Sequence, residues 1–167
     1  MRPVALALLT ITTLGAQAPP ATTLTTATPH LSLQAMVEPE VVVSGADVTL
    51  TFDIAPARRI KVYAPGAEYQ IVAVKLDAQP GLTPRKVVYP PSEIYHFEPL
   101  NEHVPVYQKP FTLKQAVAVA PEALKGKSLL TLTGKLEYQA CDDRVCFRPN
   151  AIPFKFELKT KPPTQNK

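Results

Sequence analysis

Only two residues of this chain are cysteines, and they stand together: Cys141 and Cys146, in the stretch YQACDDRVCFRPN from Tyr138 to Asn150. Thiols with four residues between them can do one of three things. They can close a structural disulfide, exchange sulfur bonds with another protein, or supply part of a metal site. In a chain-entropy account, closing so short a loop stabilises a fold by only about 2 kcal/mol, whereas closing roughly fifty residues gives over ~4 kcal/mol. A local bridge is therefore a weak staple. On the residues alone, a reactive pair and a turn-stiffening bridge both stay open. A metal site needs further ligands, and His30, His96 and His103 stand far off with no ligand spacing, so no metal is expected. Local charge is mixed: Asp142 and Asp143 disfavour a thiolate, while Arg144 and Arg148 favour one.

The elements that must position this pair read as short strands. Leu130, Leu132, Gly134, Leu136 and Tyr138 alternate with polar residues before the cysteines, and Ile152, Phe154, Phe156 and Leu158 do so after them. Period-two alternation means one buried and one wet face, so Cys141 to Pro149 is expected as the tip of a hairpin between two core strands. Further strands are expected at Leu31–Ala35, Val48–Ile54, Ile60–Tyr63, Tyr69–Leu76, Lys86–Tyr89 and Phe111–Val119, with one helical turn in PEALKGK ended by Gly126. The chain has 19 prolines and 6 glycines in 167 residues, which argues against long helices. The fold class expected is an all-β, immunoglobulin-like antiparallel β-sandwich over residues 31–159.

Residues 1–18 have one basic residue, an apolar run from Val4 to Leu14 and then Ala16-Gln17-Ala18, the layout of a secretory signal peptide. Pro19 after the cut leaves the cleavage point open, and the same pattern also fits an uncleaved anchor. Residues 19–30 read as a low-complexity Thr/Ala/Pro spacer, and 160–167 as a disordered tail. Export places the pair in an oxidising compartment. The net charge of +4 is spread out, and no cluster of Lys and Arg with interleaved aromatics suggests a nucleic-acid partner.

The run from Tyr138-Gln139-Ala140-Cys141 through Cys146-Phe147-Arg148-Pro149, followed by Asn150-Ala151-Ile152-Pro153-Phe154, resembles the N-terminal periplasmic domain of the thiol–disulfide interchange protein DsbD. Outside it the resemblance is one of strand order, over residues 31 to 159. It implies a periplasmic immunoglobulin-like domain that works as a component of a protein-disulfide reductase. Such a domain takes electrons from a membrane-linked donor, here necessarily a separate polypeptide, and passes them to thioredoxin-fold proteins such as disulfide isomerases. It implies that Cys146 forms mixed disulfides, that Cys141 resolves them, and that no cofactor is needed. It also implies a cap over the pair, falling on Glu98 and Leu100 (or Phe97), with Tyr63 close to the sulfurs. This chain departs from the family's acidic pair and phenylalanine in the cap, keeping only Glu98. Phe147, beside the second cysteine, is a candidate partner contact. Two other readings compete: an exported binding or assembly module with an inert hairpin disulfide, and a copper-carrying sandwich. The second lacks a Met/His cluster.

Overall fold

Strands rich in Val, Thr, Leu and Phe, with alternate positions apolar, can only bury their apolar rows by facing one another across a sandwich. The computed structural model describes residues 22–161 of this chain, and the expected signal peptide lies outside them, as do residues 162–167 of the expected tail. Among the described residues the strands are β1 (Thr23–Ala27), β2 (Leu31–Glu38), β3 (Val41–Val42), β4 (Asp47–Pro56), β5 (Lys61–Tyr63), β6 (Ala73–Leu76), β7 (Leu82–Pro84), β8 (Glu93–Phe97), β9 (Glu102–Tyr107), β10 (Phe111–Val119), β11 (Leu129–Tyr138), β12 (Ala140–Cys141) and β13 (Asn150–Thr160). One helical turn, α1 (Pro121–Leu124), follows β10.

Three sheets result. The first runs β1-β2-β4-β10-β7, the second β3-β13-β11-β6, and the third β12-β5-β9-β8. Pairing is antiparallel except between β3 and β13. Leu31, Leu33, Ala35 and Val37 of β2 join Val48, Leu50, Phe52 and Ile54 of β4 in the core, with Leu132, Leu136, Phe154 and Phe156 from the second sheet. Phe52 meets Phe154 with ring centroids 5.2 Å apart. Burying each such side chain contributes about 1.5–3 kcal/mol, so these rows fix the register of the long strands. β11 and β13 pair through ten successive positions, from Leu129↔Lys159 to Tyr138↔Asn150. Gly134 is required in that ladder, because a Cβ there would clash with the Lys75 carbonyl and come within 2.7 Å of the Phe154 ring.

The expected spacer is corrected in part. Thr23–Ala27 is an edge strand in register with β2, from Thr23↔Met36 to Ala27↔Ser32, and Leu24 packs against the core. Low complexity concealed a β-branched run whose alternate residues are half-buried. At the other end, Thr160 is still in β13, and the Lys161 N–H donates to the Val42 carbonyl at 2.9 Å, so the expected tail is ordered at its start. Lys86–Tyr89 is not a strand; only Val88 makes a bridge, to Lys114.

The third sheet has two unlike faces. Val62, Tyr107 and Ala140 belong to the main core. Their sequence neighbours Tyr63, Val106 and Cys141 turn the other way and form a second, small cluster with Val104. That cluster contains Cys141.

Candidate functional site

After Tyr138 the chain leaves the long hairpin and enters the third sheet. Tyr138 is fully buried, and its hydroxyl lies 3.0 Å from that of Thr28. The Gln139 side chain clamps the segments around the turn. Its Oε1 accepts from the Gln70 N–H at 3.3 Å, and its Nε2 donates to the Phe147 carbonyl at 3.0 Å. Ala140 and Cys141 then pair with Val62 and Lys61 of β5.

Cys141 and Cys146 face each other across an antiparallel bridge and form a disulfide, with Cα atoms 4.1 Å apart. The flanking bonds run from the Asp142 N–H to the Val145 carbonyl (3.0 Å) and from the Phe147 N–H to the Ala140 carbonyl (2.8 Å). The cysteines thus occupy a non-hydrogen-bonded pair, the position where opposed side chains come closest. The Asp142 carboxylate closes the turn by accepting the Arg144 and Val145 N–H groups at 2.7 and 2.8 Å. Those two backbone donors hold its pKa below the usual carboxylate range.

The two sulfurs are not equivalent. Cys141 is 4% exposed, whereas Cys146 is a solvent-exposed residue. Cys146 is thus the open residue of the pair and Cys141 the covered one. The Tyr63 hydroxyl lies 2.9 Å from Cys141 Sγ and 3.1 Å from Cys146 Sγ. Burial pushes the Tyr63 pKa up to about 12, with smaller contributions from Tyr69 and Glu102, so this hydroxyl keeps its proton and serves as a donor near neutral pH. Tyr69 stacks on Tyr63 at 4.6 Å, and its own hydroxyl donates to Glu102 at 2.6 Å. On the loop side, Lys61 Nζ donates to Asp143 Oδ1 at 2.5 Å and lies 4.2 Å from the centre of the Tyr95 ring. Lys61 first of all, by hydrogen bond and by charge, holds the Asp143 carboxyl below its ordinary range.

Of the residues singled out from the sequence, Tyr63 and the cysteines come together. Glu98 and Leu100 do not join them: they form the 3-10 turn Glu98–Leu100 at the end of the β8–β9 hairpin, where Leu100 is 59% exposed. Phe97 is buried and, by register with Glu102, shares the face of Tyr95 and Val104 that turns towards Cys141. Phe147 is half-buried against the main core and stacks on His30 at 4.4 Å. Lys61, Tyr69 and Tyr95 were not singled out, and Asp143 was read only as a charge that disfavours a thiolate. The alternation of Lys61 and Tyr63 about the core residue Val62 is the one local sign that Lys61 shares the face of Tyr63. Among the described residues no three His, Cys, Asp or Glu side chains gather as metal ligands, although His96 and His103 stack at 4.5 Å across the hairpin.

Comparison with known proteins bears on this site. The family model described as thiol:disulfide interchange protein DsbD, N-terminal, matches residues 31–158. No curated protein matches. Among solved structures, the N-terminal periplasmic domain of ScsB from Proteus mirabilis is similar, with a TM-score of 0.54 and 16% identity, covering 84% of this chain and 51% of that one. The chain thus spans about half the length of that relative. The reduced DsbD N-terminal domain of Neisseria meningitidis aligns with a TM-score of 0.46 and 20% identity, over 70% of this chain and 80% of that one. The likeness to the ScsB domain supports the fold, an immunoglobulin-like antiparallel sandwich. Because the family match runs through both cysteines and most of the strands, the chain belongs to the family of DsbD N-terminal domains.

Proposed function

We propose that this chain is a periplasmic thiol–disulfide exchange domain that passes reducing equivalents through Cys141 and Cys146. It acts on thioredoxin-fold partners and is recharged by a membrane-linked donor. The observation that carries this reading is the one-sided exposure of the bridge: Cys146 open to solvent, Cys141 buried behind it. An inert turn staple has no need for that asymmetry, whereas exchange needs one reachable sulfur and one protected one.

The steps follow from thiol chemistry. In the reduced domain, the Cys146 thiolate attacks one sulfur of the partner disulfide, and the other partner sulfur leaves as a thiolate and takes up a proton. The Cys141 thiolate then attacks Cys146 Sγ, the mixed disulfide breaks, and the second partner sulfur leaves. Two electrons and two protons have moved to the partner, and the Cys141–Cys146 bond has formed. Because the two Cα atoms are 4.1 Å apart, the second attack is intramolecular and outpaces escape of the mixed species. Tyr63 donates to whichever sulfur carries charge. The reverse sequence recharges the domain: a donor thiolate attacks Cys146, and Cys141 is the leaving group. Sulfur supplies the whole reaction, so neither a metal nor an organic cofactor takes part. Tyr95 on the β8–β9 hairpin meets the cysteine loop through Asp143 and packs with Tyr63 and Cys141, so this hairpin, rather than the turn Glu98–Leu100, serves as the cap.

The test is a redox equilibrium. The chain, incubated with a thioredoxin-fold disulfide isomerase in graded glutathione buffers, should interconvert between dithiol and disulfide and exchange with that protein. A bridge that stays closed in every such buffer, with no transfer to the isomerase, contradicts the proposal and fits an inert module.

A further inference from the structure

Lys61 is the one buried charged side chain among the described residues, with its side chain 5% exposed. Its carboxylate partner, Asp143, is 55% exposed, so burial of the lysine is not required to make that ion pair. A surface lysine would serve Asp143 equally well. What burial does achieve is placement. Lys61 is the cross-strand partner of Cys141, and directly opposed residues of an antiparallel pair have Cβ atoms about 4.5–5.5 Å apart. Three segments meet at its ammonium group: its own strand β5, the cysteine loop through Asp143, and the cap hairpin through the Tyr95 ring.

The exchange cycle makes a demand that this placement meets. Whenever Cys141 attacks or leaves, its sulfur is an anion at a buried position, and an uncompensated buried anion is strongly disfavoured. Tyr63 offers a neutral donor. From the loop, Asp142 and Asp143 add negative charge, and Arg144 lies on the exposed rim. Tyr69 and Glu102 on the far side are bound to each other. Lys61 is the one buried cation among the described residues, and it stands directly opposite Cys141 in the strand register.

We infer that Lys61 is a positioning residue of the exchange reaction, a buried cation that fixes the cysteine loop through Asp143 and stabilises the thiolate of Cys141. The inference rests on the exchange reading of the pair. In the oxidised state the Lys61 charge is balanced by Asp143. In the thiolate state Lys61 is shared between Asp143 and the sulfur, and no proton needs to leave the lysine.

The test is the thiolate titration of Cys141, followed by ultraviolet absorbance in the full chain carrying Cys146→Ser. Lys61→Met removes the charge. Lys61→Gln removes it while keeping a donor for Asp143, and Lys61→Arg keeps it. The expected result is a titration moved up by about one unit, a tenfold loss of thiolate at fixed pH, in the Met and Gln variants, with recovery in the Arg variant. Asp143→Asn, a change at an exposed side chain that leaves the fold intact, should move it down, because Lys61 is then released to the sulfur. A titration unmoved by Lys61→Met or Lys61→Gln overturns the inference; should neither variant fold, an unmoved or upward titration in Asp143→Asn overturns it. No partner protein enters this measurement. A wild-type chain that fails to exchange therefore sinks the functional reading, while an unmoved titration sinks only the role of Lys61.

Discussion

Replacing Tyr63 by phenylalanine removes one oxygen atom from the centre of the site and leaves the ring stacked on Tyr69. That oxygen lies 2.9 Å from Cys141 Sγ and 3.1 Å from Cys146 Sγ. A hydrogen bond to a charged acceptor is worth about 1.5–3 kcal/mol, and one to a neutral acceptor about half that. In the disulfide the sulfurs are neutral and weak acceptors, so Tyr63→Phe should cost the oxidised protein little. In the reduced protein the lost bond goes to a thiolate, and at 1.36 kcal/mol per unit the Cys141 pKa should rise by about one to two units. Thiolate population then falls tenfold per unit, but nucleophilicity rises with basicity with a slope of about 0.4–0.5. The net effect is about threefold slower attack per unit, or three- to tenfold in all. Two assays check this: thiolate titration in a Cys146→Ser background, and the rate at which the otherwise wild-type pair releases a small-molecule mixed disulfide at pH 7. A Cys141 titration that stays within about 0.3 units of wild type, or moves down, refutes the reasoning. So does a Tyr63→Phe protein that loses as much stability oxidised as reduced.

Three other predictions concern the scaffold and the loop. Gly134→Ala should destabilise the protein by about 1–3 kcal/mol or more in denaturant unfolding, because the added methyl meets the Lys75 carbonyl and the Phe154 ring at the centre of the second sheet. A chain starting at Thr28 should melt at a lower temperature than one starting at Thr22, because it lacks β1 and bares the edge of β2; equal melting would mean that Thr23–Ala27 is a spacer after all. Asp142 and Asp143 both have depressed pKa values when folded, so their pairing stabilises the loop at neutral pH, above the unfolded value near ~4, and is lost as pH falls through the lower folded value. Reduction of the bridge by a phosphine should therefore speed up in acid, beyond the reagent's own pH dependence, and Asp143→Asn should weaken that acceleration.

Period-two alternation was sufficient to read the strands that bury one full face. Val48 to Ile54, Leu130 to Tyr138 and Ile152 to Leu158 all lie in strands at those positions, because core and solvent impose the pattern directly on the residues. The β8–β9 hairpin escaped that reading. Its inner face is formed by Tyr95, Phe97, Val104 and Val106, but Glu93, Glu102 and Pro105 interrupt the pattern, and its outer face carries His96 and His103. β1 escaped because Thr and Ala at an edge strand read as low complexity. At the site, the two cysteines and Tyr63 were legible, the last through a family resemblance. Lys61 was not, because its importance comes from register: it meets Asp143 across 82 positions of sequence, and nothing in the string Ile60-Lys61-Val62-Tyr63 says which strand lies beside it. Burial likewise had to come from the fold, since the two cysteines carry no local sign that one is covered and the other open.

The central claim is a division of labour between an outer sulfur that bonds to other proteins and an inner one that releases them. Single-cysteine trapping tests it most directly. Cys141→Ser and Cys146→Ser chains are each expressed in the periplasm, resolved without reductant, and any attached protein is identified by mass spectrometry. The account predicts covalent adducts with thioredoxin-fold proteins for Cys141→Ser, where exposed Cys146 has lost its resolving partner, and none for Cys146→Ser. Adducts that form only through Cys141, or equally through both cysteines, would contradict it.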